Sequence, residues 1–266
     1  LSCRSHIESA IKNKNSQARI NGTIYSQKIP EKERKKERKK DKMIQKGNKI
    51  EPRTASTRNL LPIELPRPKL DRDRSVLKAL QKRKTIREIS EKKLSLQVLS
   101  NLLWAAYGVN RKIGPFGIPG RTAASASNSQ EIDIYVAMEE GIYLYDAFHL
   151  MLVPVVVGDH RALAIGTGQA NIIAKAPVQL IYVVDIYKLS NTSGYQEPGL
   201  QDSEIQKSYY YVDTGLIAGN VYLFAASHGL ASWFHNCNKT GLTAKLKSRS
   251  NQRVLFGQTV GYPTRK

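Results

Sequence analysis

The chain has 266 residues, 41% of them hydrophobic, enough for one or two packed cores, and this excludes a wholly disordered protein. Lys plus Arg number 42 against 22 Asp plus Glu, a formal charge of +20 that by itself points to nucleic acid or an anionic surface. The excess is uneven, because residues 1–57 carry 16 basic and 6 acidic side chains and so hold half of it.

Residues 1–57 are rich in Lys, Arg, Asn, Ser and Gln, with EKERKKERKKDK at 31–42, and have too few large apolar residues to offset chain entropy. They are expected to be disordered or a non-native extension, with Met43 as candidate start. The other reading is a basic arm on RNA or DNA, against which stands the lack of interleaved aromatics. A folded domain is expected over 58–266, opened by the Pro-rich LPIELPRPKL (61–70).

Ser75 is the expected cap of a helix that turns Val76, Leu77 and Leu80 to the core and runs into RKTIR (83–87). Ser95 caps a second helix with Leu96, Leu99, Leu102, Leu103 and Ala106 on one face and Gly108 as its stop. Gly114, Pro115, Gly117, Pro119 and Gly120 make a permissive loop, and AASASNSQ (123–130) is too polar for a core. EIDIYVAM alternates Ile132, Ile134 and Val136 with Asp133, Tyr135 and Ala137, a half-buried strand, and GIYLYDAFHL reads as its hairpin partner.

RALAIGTGQANIIAKA suggests a helix weakened by two glycines, VQLIYVVDI after Pro177 a central strand, and 190–207 a loop. Leu216, Ile217, Val221, Phe224 and Ala225 share a broad face of a buried helix ended by Gly229. ASWF reads as a connection to a helix in KTGLTAKLKS, and RVLFGQTVGYP as the last strand. Strands and helices mix without regular alternation, which favours α+β over a doubly wound sheet.

Arg83, Lys84, Thr85 and Arg87 put three cations and a hydroxyl into five residues. If helical, 83 and 87 share a face and repel by roughly 0.2–0.5 kcal/mol unless an anion sits between them; a solvated basic face is the other reading. Ser125, Ser127, Asn128, Ser129 and Gln130 are donors and acceptors suited to the edge of a planar heterocycle or a ribityl chain, or make a plain polar loop. Gly166 and Gly168 give only GxG, with Asn171 where a third glycine belongs, and no P-loop or GxSxG elbow exists. His228, His235 and Cys237 match no zinc spacing and read as helix-end and core residues. Cys3 and Cys237 provide no disulfide framework, and the longest apolar run, Leu150 to Val157, is far short of the ~20 residues of a membrane span; a cytoplasmic location is expected.

Taken in order, RKTIR (83–87), LSNLLWAAYGVNR (99–111), GRTAASASNSQEIDIYV (120–136), VDTGLIAGNVYLFAASHGLA (212–231) and QTVGYP (258–263) resemble the FMN-dependent nitroreductase family over about residues 65–266. The resemblance is nearest to the short branch ending in VGYP, close to the dehydrogenases that oxidise azoline rings in peptides. It implies an α+β sandwich with an antiparallel-rich central sheet, in an interlocked homodimer with FMN in two clefts that both subunits build. NADH or NADPH would supply hydride, and a nitroaromatic, quinone or similar small molecule would accept it. The implied alternative is an FMN dehydrogenase acting on a peptide or other specialised substrate.

By the same resemblance Arg83 meets the flavin phosphate, Lys84 and Thr85 the phosphate or ribityl region, and Arg87 the pyrimidine edge. Ser125, Ser127, Asn128 and Gln130 would come from the partner subunit. Backbone at Gly229 and Leu230 would lie near flavin N5, and Arg265 and Lys266 would reach the phosphate. The chain departs from the family pattern at Ala124, where proline is usual, and at Glu131 and Ile132, where Pro and Trp usually follow the Gln. No metal is implied. No catalytic side chain is implied either, since a bound flavin carries the redox chemistry, with Arg87 as its electrostatic stabiliser.

Overall fold

The protein is described by a computed structural model over residues 60–70, 75–166, 168, 174–192 and 201–264. The expected basic arm, and Arg265 and Lys266, lie outside these residues. Among the described residues no helix is long and apolar enough to cross a membrane.

In chain order the strands are β1 (Ile63–Glu64), β2 (Val109–Arg111), β3 (Gly120–Arg121), β4 (Ile132–Ala137), β5 (Gly141–Asp146), β6 (Met151–Val157), β7 (Val178–Asp185), β8 (Ala231–His235) and β9 (Gln252–Gly261). The helices are α1 (Val76–Lys82), α2 (Leu96–Tyr107), α3 (Ile186–Ser190), α4 (Ser203–His228) and α5 (Lys239–Leu246). Seven strands form one sheet in the order β1-β6-β5-β4-β7-β9-β8, every pairing antiparallel, and β2 pairs with β3 apart from it. This is an α+β fold.

VQLIYVVDI is a central strand, as its unbroken apolar run requires: every residue of β7 is buried, between β4 and β9. Val178, Leu180, Tyr182 and Val184 point into a large core with α2 and α4, while Ile181 and Val183 point into a smaller core with α5. β4 differs from the half-buried strand expected of its alternation. Ile132, Ile134 and Val136 enter the larger core and Tyr135 and Ala137 the smaller one, because helices cover both faces of the sheet. Glycine is required at 257, where a Cβ would stand 2.3 Å from the Ala164 carbonyl oxygen.

α2 follows its sequence signals: Ser95 Oγ accepts from Val98 N–H (3.3 Å), and Leu99, Leu102, Leu103 and Ala106 are buried, with Leu96 alone of that face exposed. α1 does not. Ser75 makes no side-chain cap, Ala79 is its buried residue, and Val76, Leu77 and Leu80 face outward. The helix stops at Arg83, so 83–87 is extended and Arg83 and Arg87 share no helical face.

Of the helix read in 161–176, residues 167 and 169–173 lie outside the described residues, and the part before them holds one 3-10 turn, Arg161–Ala164. Two further expectations are corrected. The loop read at 190–207 already contains the start of α4, where Asp202 accepts from the Glu204 and Ile205 N–H groups. ASWF is not a connection but most of edge strand β8, paired with β9 from Ala231↔Gly261 to His235↔Gly257.

Three strands are cross-tied by buried polar groups. Thr259 Oγ1 on β9 lies 2.5 Å from Gln179 Oε1 on β7 and 2.8 Å from His235 Nε2 on β8. Tyr182 Oη donates to Gln258 Oε1 (2.5 Å), and Gln258 Nε2 donates to Ser232 Oγ (3.0 Å). At the end of β7, buried Asp185 accepts from Tyr187 N–H, Arg249 Nη2 and Asn251 Nδ2. Asp185→Ala is expected to cost about 2–3 kcal/mol, since three donors lose their acceptor at once, and to lower the urea midpoint accordingly. An unchanged midpoint would show that water replaces the carboxylate without loss.

Candidate functional site

The extended segment 83–87 is held between α4 and β8. Ile86 N–H donates to the Ser232 carbonyl (3.1 Å), and the hydroxyls of Thr85 and Tyr222 hydrogen-bond at 3.1 Å. Tyr222 Oη also accepts from Phe234 N–H (2.9 Å), so one α4 side chain ties the segment to the strand. The Arg83 guanidinium lies over the Tyr222 ring (5.7 Å) and that of Arg87 over Trp233 (5.1 Å). Arg83, Lys84 and Arg87 are exposed, and among the described residues no carboxylate forms an ion pair with them.

The turn at Gly229 lies between Tyr222 and Trp233 in the chain. Gly229 ends α4 with φ 66°, the left-handed conformation that favours glycine, and Leu230 behind it is buried. The Ile86–Ser232 bond thus ties the basic segment to β8 three residues beyond the turn after α4.

The third cluster lies elsewhere on α4. Residues 126–128 form a 3-10 turn whose Ala126 N–H donates to Asp213 Oδ2 (2.9 Å). Asp213 and Tyr222 are nine residues apart on one helix, so their side chains leave it roughly half a turn apart and about 13 Å along its axis. Within one chain the polar loop and the basic segment thus meet opposite sides of α4.

The loop uses much of its own hydrogen-bonding capacity. Gln130 N–H donates to Ser125 Oγ (3.0 Å), and Gln130 Nε2 donates to the Pro119 carbonyl (2.6 Å) and to Asn128 Oδ1 (3.1 Å). Asn128 Nδ2 donates to the Ile118 and Pro115 carbonyls at 3.2 and 3.3 Å. Arg121, between the rings of Tyr107 (5.0 Å) and Phe148 (4.6 Å), donates from Nε to Gln130 Oε1 (2.7 Å). Asn128 and Gln130 thus shape the loop, while Ser127 is half-buried. The loop was read as too polar for a core, yet Ala123, Gln130 and the following Glu131 are buried.

Sequence reasoning missed Tyr222, Trp233, Asp213, Glu131 and Arg121, which hold the predicted segments in place. Beside them an apolar groove of about 290 Å³ runs between α1, α2 and α4, lined by Val76, Ala79, Trp104, Leu223 and Phe224, with Thr122 and Asn220 at its polar side. Cys237 is buried, and burial pushes its thiol up to about 11, so it has no nucleophile's character.

The architecture is thus an all-antiparallel sheet covered by helices on both faces, with an exposed cationic segment bound to its edge strand β8. The nitroreductase family matches residues 80–262. A nitroreductase-like protein of Methanocaldococcus jannaschii is 33% identical over 162 residues, covering 58% of this chain and 74% of the relative. The crystal structure of a nitroreductase-like protein of Ralstonia eutropha superposes with a TM-score of 0.65 at 29% identity, over 77% of this chain and 90% of that one. The NADPH:FMN oxidoreductase of Vibrio harveyi, crystallised with NAD+, shares the fold at 18% identity and TM-score 0.50, over 71% of this chain and 69% of that one. The chain belongs to the nitroreductase family and is an oxidoreductase of that family.

Proposed function

We propose that the protein binds FMN and passes hydride equivalents from NADH or NADPH to a small acceptor such as a nitroaromatic or a quinone. One observation carries this reading: the segment that holds Arg83, Lys84 and Arg87 is bound to β8 three residues beyond the Gly229 turn, its cations exposed and, among the described residues, without a carboxylate partner. Such a donor set fits a group with a phosphate at one end and an electron-rich heterocycle edge at the other. When bound, FMN supplies the redox chemistry, taking up and releasing two electrons with a proton.

The chain's own residues bind and orient. Arg83 and Lys84 are the phosphate donors, with Thr85 fixed by Tyr222 beside them. Arg87, steadied on Trp233, would hold the electron-rich edge of the heterocycle and favour its reduced state. Gly229 leaves its backbone accessible, with nothing within 4 Å of the position a Cβ would take, and would let the flavin approach there.

The polar loop belongs to this site if it comes from a second copy, and α4 has the surface for one. Ile205, Tyr209, Val212 and Leu216 are exposed and recur every three or four residues as a stripe, with Gly215 and Gly219 open beside it. The outward Val76, Leu77 and Leu80 of α1, packed on α4, extend the apolar surface. A homodimer that buries both would carry the Ser125–Gln130 loop of one copy toward the basic segment of the other.

The test is the visible spectrum of the purified protein with FMN, followed by anaerobic addition of NADH and NADPH. One FMN per subunit, bleached by either nucleotide, is expected. A protein that leaves the FMN spectrum unchanged would overturn the reading, and bound flavin that neither nucleotide reduces would favour a dehydrogenase of specialised substrate.

A further inference from the structure

We propose that Glu131, in its protonated form, pins the Ser125–Gln130 loop to α4 through Asp213, which makes both carboxyl groups positioning residues for the cofactor and their shared proton a pH gate on that loop. The inference deepens the FMN reading and rests on it. Its starting point is backbone conformation: Ser127, Asn128 and Gln130 have φ of 49°, 53° and 53°, a region L side chains rarely adopt. A loop of this kind needs outside holds. They are Arg121 on Gln130, Thr192 Oγ1 on the Ser127 carbonyl (3.3 Å), Asp213 Oδ2 on Ala126 N–H (2.9 Å), and Glu131 Oε2, which accepts from Ser129 Oγ (2.5 Å).

Two of the four are carboxyl groups side by side. Glu131 has no exposed surface, and its Oε1 has no donor facing it. Asp213, 4% exposed, faces it from α4 and is near enough to hydrogen-bond its carboxyl group. Tyr107 of α2 is the other titratable group at this place, and the nearby cation, Arg121 of β3, is engaged with Gln130 and the Tyr107 carbonyl. A proton on Glu131 resolves the arrangement: it is donated to Asp213, whose Oδ2 holds the Ala126 N–H. Burial and the neighbouring Asp213 push the Glu131 carboxyl up to about 8, and burial also raises Asp213.

Above that pH two carboxylates would stand together without water, and the accessible relief is release of the loop from α4. The sign follows: Glu131 titrates higher folded than unfolded, so its stabilisation is complete below about 4.5 and lost as pH rises through about 8.

The experiment measures FMN affinity from pH 6 to 9.5 by fluorescence quenching, together with hydrogen-exchange protection of residues 122–131 in the cofactor-free protein over the same range. For the wild type the dissociation constant is expected to rise about tenfold between pH 7 and 9, as loss of one proton requires, while protection of the loop falls in parallel. Glu131→Gln, whose amide donates to Asp213 at any pH, should flatten both profiles. Ser129→Ala, which removes the donor to the charged form, should shift both midpoints upward. Flat wild-type profiles, or a Glu131→Gln profile that follows the wild type, would overturn the proposal. If no FMN binds at any pH the functional reading fails, and the exchange profiles still decide whether Glu131 pins the loop.

Discussion

Replacing Arg83 by Ala is expected to raise the FMN dissociation constant by roughly 10- to 100-fold, the worth of one charge-assisted hydrogen bond to phosphate. Replacing Arg87 by Ala should behave differently, because a cation at that position favours whichever redox state carries more negative charge. Its main effect should be a lower flavin midpoint potential, by about 30 mV for a tenfold change in the two-electron equilibrium, with a smaller loss of affinity. Both variants should still fold, because Arg83 and Arg87 are exposed and the segment is held by Thr85 and the Ile86 backbone. Spectroelectrochemistry of the two variants separates the roles, and equal potentials for wild type and Arg87→Ala would remove Arg87 from the flavin edge.

The second large effect is expected on α4. Leu216→Glu, alone or with Val212→Glu, puts charges on an apolar stripe that the single chain leaves open. In a homodimer built on this stripe the charges would face each other without water, and the dimer dissociation constant should rise by more than about 100-fold. Sedimentation should then show the mass of one subunit, with helical content kept, since position 216 is exposed within the chain. FMN should be lost in the same step if the proposed cleft is shared by two copies. A variant that keeps twice the subunit mass would show that the stripe is not the interface.

The elements legible in the sequence were those whose stabilising contacts have a local signature. α2 has a cap, a period and a glycine stop within 14 residues, and β7 has an apolar run that only a buried strand satisfies. β8 was not legible, because five residues become a strand only through β9, which lies beyond an intervening helix. α1 was read with its apolar residues inward because periodicity gives the face and not the neighbour. The first turns of α4 are exposed, and without buried residues no pattern marks them.

The candidate site divides in the same way. Clusters of like residues, such as Arg83 to Arg87 and Ser125 to Gln130, stand out in a sequence. Their supports do not, because Thr85 meets Tyr222 across 137 residues and Ala126 meets Asp213 across 87. Glu131 was visible only as a departure from a family pattern, and its burial against a second acid is a tertiary fact.

The polar cross-ties of β7, β8 and β9 bear on how the chain finds its fold. Leu, Val and Ile along these strands are nearly interchangeable, so sliding one strand by two residues would preserve the apolar faces and lose little burial. Gln179, Thr259 and His235 remove that freedom, as do Tyr182, Gln258 and Ser232. Each slipped alignment would leave several of these groups without partners in a dry interior. They act as index marks that single out one alignment of the three strands.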